Sequence, residues 1–316
     1  MIIQTLNPCH PGDKPVVLTL GNFDGVHVGH RRVLKKTVEC AKRIDGESVV
    51  ITFARHTRTL LSGGRDFHVL TTPEEKAGLM RALGVNRFVL LSFTPSIRRL
   101  TAARFLEKLL IPCFNPREIV FGYDHRFGKD RADSAAVMER LCEKKGIRVH
   151  TVSPCRRKGR IISSTLVRET LVHGRFKPAV AMLGGGYPLS GRVIHGEGRG
   201  RQLGFPTANI FVPPDKLLPT DGVYFGIAQS GTRRFKALMS LGVRPTFQRS
   251  GQRTLEVYLA DFKGNLYGKN IILNLLGFIR AEQKFESPAA LIIRMKKDLT
   301  IMKNKLKKED SFGKAE

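Results

Sequence analysis

Two histidines, His27 and His30, lie three residues apart where an apolar run, residues 16–20, gives way to a helical pattern. Residues at this spacing share one face of a helix. The first turn of a helix offers unpaired N–H groups and the positive end of the helix dipole. Imidazole rings placed there can donate hydrogen bonds to a polyphosphate. The spacing predicts a nucleotide phosphate site; the alternative is a structural turn flanked by capping or surface histidines.

A second helix start is marked by hydroxyl side chains. Ser163, Ser164 and Thr165 precede apolar residues at helical spacing, and Arg168 lies one turn further on. Serine and threonine are common N-cap residues, which is the structural alternative. A phosphate bound at this N-terminus would lie beside Arg168. Two helix starts that both suit phosphate favour a single nucleotide held between them.

A glycine-rich stretch in the C-terminal half carries a different set of candidate groups. It contains Gly196, Gly198, Arg201, Gly204, Pro206, Thr207 and Asn209. Glycines allow backbone N–H groups to wrap a polyphosphate, and Thr207 and Asn209, two residues apart on a strand, face the same way. A hydroxyl and an amide oxygen suit Mg²⁺, which also takes substrate phosphates as ligands. We therefore expect a phosphate and magnesium site in this stretch.

Glu256 is the candidate general base for phosphorylating an alcohol. It alternates with the apolar residues Leu255 and Val257 in a strand pattern, so it can face a ligand cavity. A carboxylate beside a nucleophilic hydroxyl assists phosphoryl transfer. The alternative is an exposed charge on a strand.

The predicted secondary structure that positions these groups differs between the two halves of the chain. Strand-like runs at 16–20, 48–53, 87–92, 118–122 and 147–152 alternate with helical patterns at 29–43, 73–83, 102–110 and 134–145. This order predicts a parallel sheet with helices on both faces and ligands at the carboxyl ends of the strands.

The period changes to two beyond the glycines at 184–186. Strand candidates lie at 191–195, 208–212, 223–228, 235–241, 255–259 and 270–278, and a helix begins after Ser287 and Pro288. This pattern predicts a closed antiparallel barrel finished by a helix that covers it. We place the domain boundary between residues 183 and 184, giving domains 1–183 and 184–316.

Both halves of the chain resemble known motifs. Residues 21–30, GNFDGVHVGH, resemble the HxGH turn of nucleotidyltransferases, and residues 162–168, ISSTLVR, are similar to their ISSTxxR motif. Residues 196–209, GEGRGRQLGFPTAN, and the strand around Glu256 resemble the riboflavin kinase signature. Both sets, in this order, are typical of bacterial bifunctional riboflavin kinase/FMN adenylyltransferases (FAD synthetases), and the resemblance covers nearly the whole chain. It implies a Rossmann-like α/β nucleotidyltransferase domain followed by an antiparallel β-barrel riboflavin kinase domain with a C-terminal helix.

The resemblance also implies a function and roles for residues. The function is FAD biosynthesis: ATP-dependent phosphorylation of riboflavin to FMN, then adenylylation of FMN to FAD with release of pyrophosphate. The implied catalytic residues are His27, His30, Arg168 and Glu256, with Mg²⁺ on Thr207 and Asn209. The residues implied to bind ATP for adenylylation are Gly21, Asn22, Phe23, Asp24, His27, His30, Asp124, Arg126, Ser163, Ser164, Thr165 and Arg168. The residues implied to bind ATP and flavin for the kinase are Gly196, Gly198, Arg201, Gly204, Pro206, Thr207 and Asn209.

Some positions depart from the family pattern. Residues 53–57 read Phe-Ala-Arg-His-Thr where the family usually has Phe-(Asp/Glu)-Pro-His-Pro, and Ser240 stands where asparagine is usual. One alternative is therefore a riboflavin kinase whose first domain binds nucleotide but adenylylates poorly. A second alternative, from the large positive charge, is a basic nucleic-acid-binding protein without enzymatic activity.

Composition sets the remaining expectations. The 316 residues carry a formal net charge of +27, which concentrates anions near the surface. Few aromatic residues interleave with the basic ones, so no specific nucleic-acid partner is expected. No apolar run is long enough to span a membrane, and the N-terminal residues do not resemble a signal peptide. Five scattered cysteines without a CxxC pair predict reduced thiols in a cytoplasmic protein. Nothing in the sequence indicates the oligomeric state.

Overall fold

The computed structural model describes residues 2–5, 12–54, 67–123, 134–196, 200, 204–243 and 253–312. The chain folds into two compact units, Met1–Leu166 and Val167–Glu316. Within these described ranges, no helix combines the length and the apolar character needed to cross a bilayer. We keep residues 183 and 184 as the proposed boundary between the functional modules, because Gly184 ends a helix there in the left-handed conformation, with φ 74°.

The first unit is built on a six-stranded parallel sheet with strand order β1-β4-β3-β2-β5-β6. The strands are β1 Ile2–Thr5, β2 Val16–Leu20, β3 Glu47–Phe53, β4 Arg87–Leu91, β5 Pro116–Gly122 and β6 Arg148–Val152. A short antiparallel hairpin follows, formed by β7 Arg156–Arg157 and β8 Arg160–Ile161. The predicted parallel sheet is confirmed. The edge strand β1 was not predicted, because four residues without a flanking pattern give no periodic signal.

Helices cover both faces of this sheet. They are α1 Val28–Arg43, α2 Pro73–Ala82, α3 Pro95–Arg98, α4 Ala102–Phe105, α5 Ile111–Phe114 and α6 Ser134–Lys144. Buried residues of β2 alternate between two cores, with Leu18 in the core beneath Phe105 and Val17 in the core beneath Leu34 of α1. Because both faces of β2 are buried, its sequence is a nearly continuous apolar run.

The stretch predicted as one helix over 102–110 is interrupted. A π-helical turn, Leu106–Leu110, joins α4 to α5, and the chain turns at Asn115 with φ 41°. Pro112 lies in α5 and has no N–H to donate to the preceding turn, so a regular α-helix cannot pass through it unchanged. The wider π turn accommodates the proline and extends the helical segment to Phe114.

A buried carboxylate fixes the far end of α1. Glu118 on β5 is 3% exposed. Its oxygens accept two bonds from Arg43 Nη2, at 2.9 and 2.8 Å, and one from Arg148 Nη1, at 3.3 Å. His150 Nε2 lies 2.7 Å from Oε2. This network ties the C-terminus of α1 to β5 and β6 and so holds the axis of the helix that begins at the histidine pair.

The same cluster contains a possible metal-ligand set. Cys40, Glu118 and His150 have ligand atoms within 4.8 Å of one another, the one such group among the described side chains. Because two arginines already neutralise the Glu118 carboxylate, we assign the cluster a structural role.

The second unit is a closed six-stranded antiparallel barrel with strand order β10-β13-β12-β11-β14-β9. The strands are β9 Tyr187–Ile194, β10 Thr207–Phe211, β11 Gly222–Ser230, β12 Arg233–Val243, β13 Arg253–Leu259 and β14 Asn270–Arg280. Helix α7 Ser164–Val172 and helix α8 Phe176–Leu183 precede the barrel, and α9 Pro288–Phe312 follows it. Met302 and Leu306 of α9 are buried against Val223 and Leu238 on the outer barrel wall. The predicted barrel and its covering helix are confirmed.

The cysteine prediction is wrong at one position. Cys40, Cys142 and Cys155 are free thiols, as expected, but Cys113 is disulfide-bonded. Cys9 lies outside the described residues. A disulfide depends on the distance between cysteines in space, and widely separated cysteines give no signal of it in the sequence.

We expect Glu118→Gln to lower the free energy of unfolding of the first unit by about 1–3 kcal/mol, because the amide cannot match the charge of two guanidinium groups. Both arginines are partly exposed, which limits the loss. Urea unfolding followed by circular dichroism measures the change. Glu139→Gln, at an exposed glutamate of α6, is the control and should leave stability unchanged. Equal stability of the two variants would contradict the structural role of Glu118.

Candidate active sites

The turn between β2 and α1 is held in an unusual backbone conformation. Phe23, Gly25 and Val26 all have positive φ, at 45°, 82° and 42°. A left-handed conformation is rare for a β-branched residue such as Val26 and is maintained only where the surroundings enforce it. The enforcing bonds include Val26 N to Phe23 O at 3.1 Å and Gly25 N to Thr71 Oγ1 at 2.8 Å. These hydrogen bonds therefore hold the turn in its strained conformation.

Asp24 holds this turn from within. Its side chain is fully buried, and Oδ1 accepts the backbone N–H groups of Leu70 and Thr71 at 2.9 and 3.1 Å. Its carbonyl oxygen accepts a hydrogen bond from Ser164 Oγ at 2.8 Å. Asp24 therefore positions the turn, and ATP binding by Asp24 stays a prediction. The Ser164 bond therefore joins the start of α7, which carries the hydroxyl side chains, to the turn before α1, which carries the histidines.

The neighbours of Asp24 also have structural contacts. The carbonyl of Asn22 accepts a bond from Thr52 Oγ1 at 3.1 Å, and Gly21 N donates to Ile51 O at 3.0 Å. The ring of Phe23 is 5% exposed and meets His30 edge-on, with centroids 5.3 Å apart. These contacts anchor the loop to the end of β3 and leave ligand binding by these residues a prediction.

His27 is the N-cap of α1. Its Nδ1 accepts the backbone N–H of His30 at 3.3 Å. Because Nδ1 is an acceptor, the neutral ring carries its proton on Nε2 and can donate from that atom. The rings of His27 and His30 stack with centroids 3.6 Å apart. The capping alternative and the phosphate-binding prediction are thus compatible, since the cap uses one ring nitrogen and leaves the other as a donor.

The position of the His27 ring explains why residue 29, in the His-x-Gly-His spacing, is a glycine. A Cβ atom at this position would lie 3.1 Å from His27 Cε1 and 3.2 Å from Nδ1. The ring would have to move, and the cap bond would weaken. Gly29 and Thr71 were not singled out from the sequence; for Gly29 the spacing itself was the available signal, whereas Thr71 is distant in the chain and gave none.

Burial keeps both imidazoles neutral. Desolvation lowers the pKa of His27 to about 4, although the Asp24 carboxylate acts in the opposite direction. Desolvation, followed by the charges of His27 and Lys76, lowers the pKa of His30 well below its usual value. His30 Nδ1 is buried and makes no hydrogen bond to the described part of the protein. Near neutral pH the pair therefore presents uncharged hydrogen-bond donors.

The second helix start combines capping and exposure. Ser163 Oγ accepts the backbone N–H of Leu166 at 3.2 Å and so caps α7. Ser164 bonds to Asp24, as described above, and Thr165 is exposed. Arg168 is half-buried one turn further along α7, within the second unit. Asp124, Arg126 and His56 lie outside the described residues.

The barrel carries a polar cluster on its outer wall. Asn209 of β10 lies directly opposite Glu256 of β13, and Thr207 is two residues away on the same face. Thr207 Oγ1 donates to Glu256 Oε2 at 3.2 Å. Leu255 and Val257 are fully buried on the inner face, whereas Glu256 is half-buried. The predicted alternation of Glu256 with apolar residues is confirmed.

Glycines let the loop before β10 approach this cluster. A Cβ atom at Gly196 would lie 2.0 Å from Asn209 Nδ2, and one at Gly200 would lie 2.4 Å from Phe205 O and 3.1 Å from Thr207 Oγ1. Gly204 has φ 78°, and Pro206 is exposed. Gly198 and Arg201 lie outside the described residues. Backbone therefore packs directly against the two side chains expected to hold magnesium.

The donor set fits a hard cation. A hydroxyl group has one donor and two acceptor positions, so Thr207 can donate to Glu256 and still offer lone pairs to an ion. The amide oxygen of Asn209 lies on the same face, and both are oxygen ligands of the type Mg²⁺ prefers.

Two family models match this chain. The first, described as FAD synthetase, matches residues 9–166, and the second, described as riboflavin kinase, matches residues 183–306. Together they cover most of both units and every candidate site residue except Arg168.

Curated relatives match over nearly their whole length. The bifunctional riboflavin kinase/FMN adenylyltransferase of Listeria monocytogenes is 33% identical over 283 residues, which are 89% of this chain and 90% of the relative. The enzyme of the same name from Pseudomonas fluorescens is 31% identical, covering 92% and 93%. The one from Escherichia coli strain K12 is 32% identical, covering 89% and 90%.

A solved structure is similar along most of the chain. A Streptococcus pneumoniae protein described as a macrolide-efflux protein has 29% identity and a TM-score of 0.80, covering 96% of this chain and 99% of that one. The description belongs to that protein, and the likeness supports the architecture described above.

We expect the stability of the first unit to fall as pH drops from about 6.5 towards 4. In this window the unfolded state binds a proton at His27 that the folded state, with its pKa of about 4, does not bind. His27→Asn removes this titration and keeps an N-cap acceptor, so its stability should depend less on pH. Denaturation followed by circular dichroism at pH 7, 6 and 5 measures the slopes. His173→Asn, at an exposed histidine, should retain the original slope. An unchanged slope in His27→Asn would show that His27 does not titrate as described.

Proposed function

Because the chain belongs to the family of bifunctional riboflavin kinase/FMN adenylyltransferases, we propose that each of its two sites performs one step of the family's reaction. The enzyme functions in FAD biosynthesis, converting riboflavin to FMN and FMN to FAD. We assign phosphorylation to the barrel wall around Glu256 and adenylylation, with release of pyrophosphate, to the turn around His27 and His30. ATP is the proposed donor in both steps.

In the kinase step, Glu256 acts as the general base. Its carboxylate accepts the proton of the riboflavin 5′-hydroxyl as that oxygen attacks the γ-phosphate of ATP. Thr207 Oγ1 donates to Oε2, which orients the carboxylate. The glycine loop, from Gly196 to Gly204, holds the phosphates through backbone N–H groups.

Thr207 and Asn209 are the proposed magnesium-holding residues. Mg²⁺ bound to ATP would neutralise phosphate charge during transfer. The proposal is supported by the shared outward face of the two side chains and by the glycine backbone that packs against them.

The adenylylation step needs only the alignment of FMN with ATP and the neutralisation of the phosphate charge. The phosphate of FMN is already an anionic nucleophile, so it needs no carboxylate base to remove a proton. His27 donates from Nε2–H, and His30 supplies the stacked second ring. Ser163, Ser164 and Thr165 mark the start of α7, and we propose that this helix start and Arg168 bind the β- and γ-phosphates of ATP that leave as pyrophosphate.

The observation that carries the proposal is the cluster of Thr207, Asn209 and Glu256 on one face of the barrel, with Thr207 Oγ1 at 3.2 Å from Glu256 Oε2. A hydroxyl, an amide and a carboxylate beside a glycine-rich loop meet the needs of phosphoryl transfer to an alcohol.

The two alternatives are not favoured. The departures at residues 53–57 suggest a kinase with a poorly active first domain, but the FAD synthetase model matches residues 9–166 and the curated relatives are named as bifunctional enzymes. A basic nucleic-acid-binding protein does not account for matches to two enzyme families along the chain.

Glu256→Gln should reduce FMN formation from riboflavin and ATP by about 100-fold or more, because the amide cannot accept the proton. FAD formation from supplied FMN should be unchanged. Chromatographic separation of the flavins measures both steps. Glu286→Gln, at an exposed glutamate of the same unit, is the control. FMN formation by Glu256→Gln at the original rate would exclude Glu256 as the base.

His27→Asn should show the opposite pattern. It keeps the helix cap but loses the Nε2–H donor, so FAD formation should fall by about 10²–10³-fold, while riboflavin is still phosphorylated to FMN. His173→Asn again serves as the control. Formation of FAD by His27→Asn at the original rate would exclude His27 from a role in adenylylation.

A further inference from the structure

Ser240 completes a row of polar side chains across the outer barrel wall. It lies on β12 directly opposite Glu256 of β13, which in turn lies opposite Asn209 of β10. Directly opposed residues of antiparallel strands place their side chains on the same face, with Cβ atoms about 4.5–5.5 Å apart. The flanking residues Met239 and Leu241 are fully buried on the inner face. The Ser240 hydroxyl therefore points outward beside the Glu256 carboxylate.

The neighbouring outward positions on β12 are already covered. Leu238 is buried in the cluster formed with α9. Gly242 is covered by Glu282, since a Cβ atom at Gly242 would lie 1.8 Å from Glu282 Oε1. Ser240, between them, is only partly buried. It is the open position on β12 next to the proposed base.

The order of these groups across the outer barrel wall indicates on which side of Glu256 the acceptor lies. Gly196 packs on Asn209 and Gly200 packs on Thr207 of β10, so phosphates bound beside these two glycines lie on the β10 side of Glu256. Ser240 lies on the other side of Glu256, on β12. Transfer to an alcohol requires the donor and the acceptor on opposite sides of the transferring phosphoryl group. The acceptor chain therefore extends towards Ser240.

We propose that Ser240 is a specificity-determining residue of the kinase step, whose hydroxyl hydrogen-bonds a secondary hydroxyl of the acceptor's polyol chain next to the primary hydroxyl that Glu256 activates. The inference rests on the proposed function, because it takes Glu256 as the base. A serine hydroxyl can both donate and accept, which suits a polyol whose hydroxyls do the same.

The experiment compares two acceptors in steady-state kinetics. One is riboflavin, and the other is the same flavin with a 5-hydroxypentyl chain, which keeps the primary hydroxyl and lacks the secondary ones. For Ser240→Ala we expect the KM for riboflavin to rise about fivefold, the value of one hydrogen bond, with kcat and the KM for ATP little changed. With the hydroxypentyl flavin, Ser240→Ala and the original enzyme should have equal KM values.

Two further variants complete the test. Ser240→Thr keeps the hydroxyl and should retain more of the riboflavin affinity than Ser240→Ala. Ser230→Ala, at a half-buried serine at the end of β11, should behave as the original enzyme. Circular dichroism melting establishes that each variant is folded.

The outcomes are distinct. An unchanged KM for riboflavin in Ser240→Ala overturns the inference, and so does an equal rise for both acceptors, which would indicate a structural effect. If Glu256→Gln still forms FMN at the original rate, the assignment of the base fails whatever Ser240 does. If Glu256→Gln is inactive and Ser240→Ala is normal, only the role of Ser240 fails.

Discussion

The hydrogen bond from the backbone N–H of His30 to His27 Nδ1 is the interaction on which the first site depends. It caps α1, fixes which nitrogen of His27 carries the proton, and leads to the stacking of the two rings. Gly29 leaves room for the His27 ring. Asp24 holds the strained turn by accepting the backbone N–H groups of Leu70 and Thr71. Helix initiation and the proposed ligand recognition thus use different nitrogens of one imidazole.

The second site depends on a different constraint, the alternation of side chains along a strand. In β13, Leu255 and Val257 fill the barrel while Glu256 points outward. Cross-strand registry then places Asn209 and Ser240 on either side of Glu256 without any loop having to carry them. Strands position these groups more rigidly than loops would. Gly196 and Gly200 let backbone pack against these side chains, where a Cβ atom would collide.

Much of the fold could be predicted because periodicity reports burial directly. The parallel sheet, the barrel and the covering helix follow from apolar patterns and turn residues. Local motifs predict His27, His30, Thr207, Asn209 and Glu256 as site residues. Other features depend on contacts between distant parts of the chain. The buried role of Asp24 requires Leu70 and Thr71, and the network of Glu118 requires Arg43 and His150. Sequence separation hides such partners, as it hid the disulfide at Cys113.

The outward placement of the kinase groups has a consequence for how this protein can change over time. Side chains at 207, 209, 240 and 256 contribute little to filling the barrel, whose interior is occupied by their immediate neighbours in the chain. Replacing them alters the outer surface of the barrel while the apolar packing inside stays intact. Under the proposed function, acceptor preference can therefore change at Ser240 with little penalty to folding, whereas a residue that filled the barrel interior could not be replaced without disturbing the core.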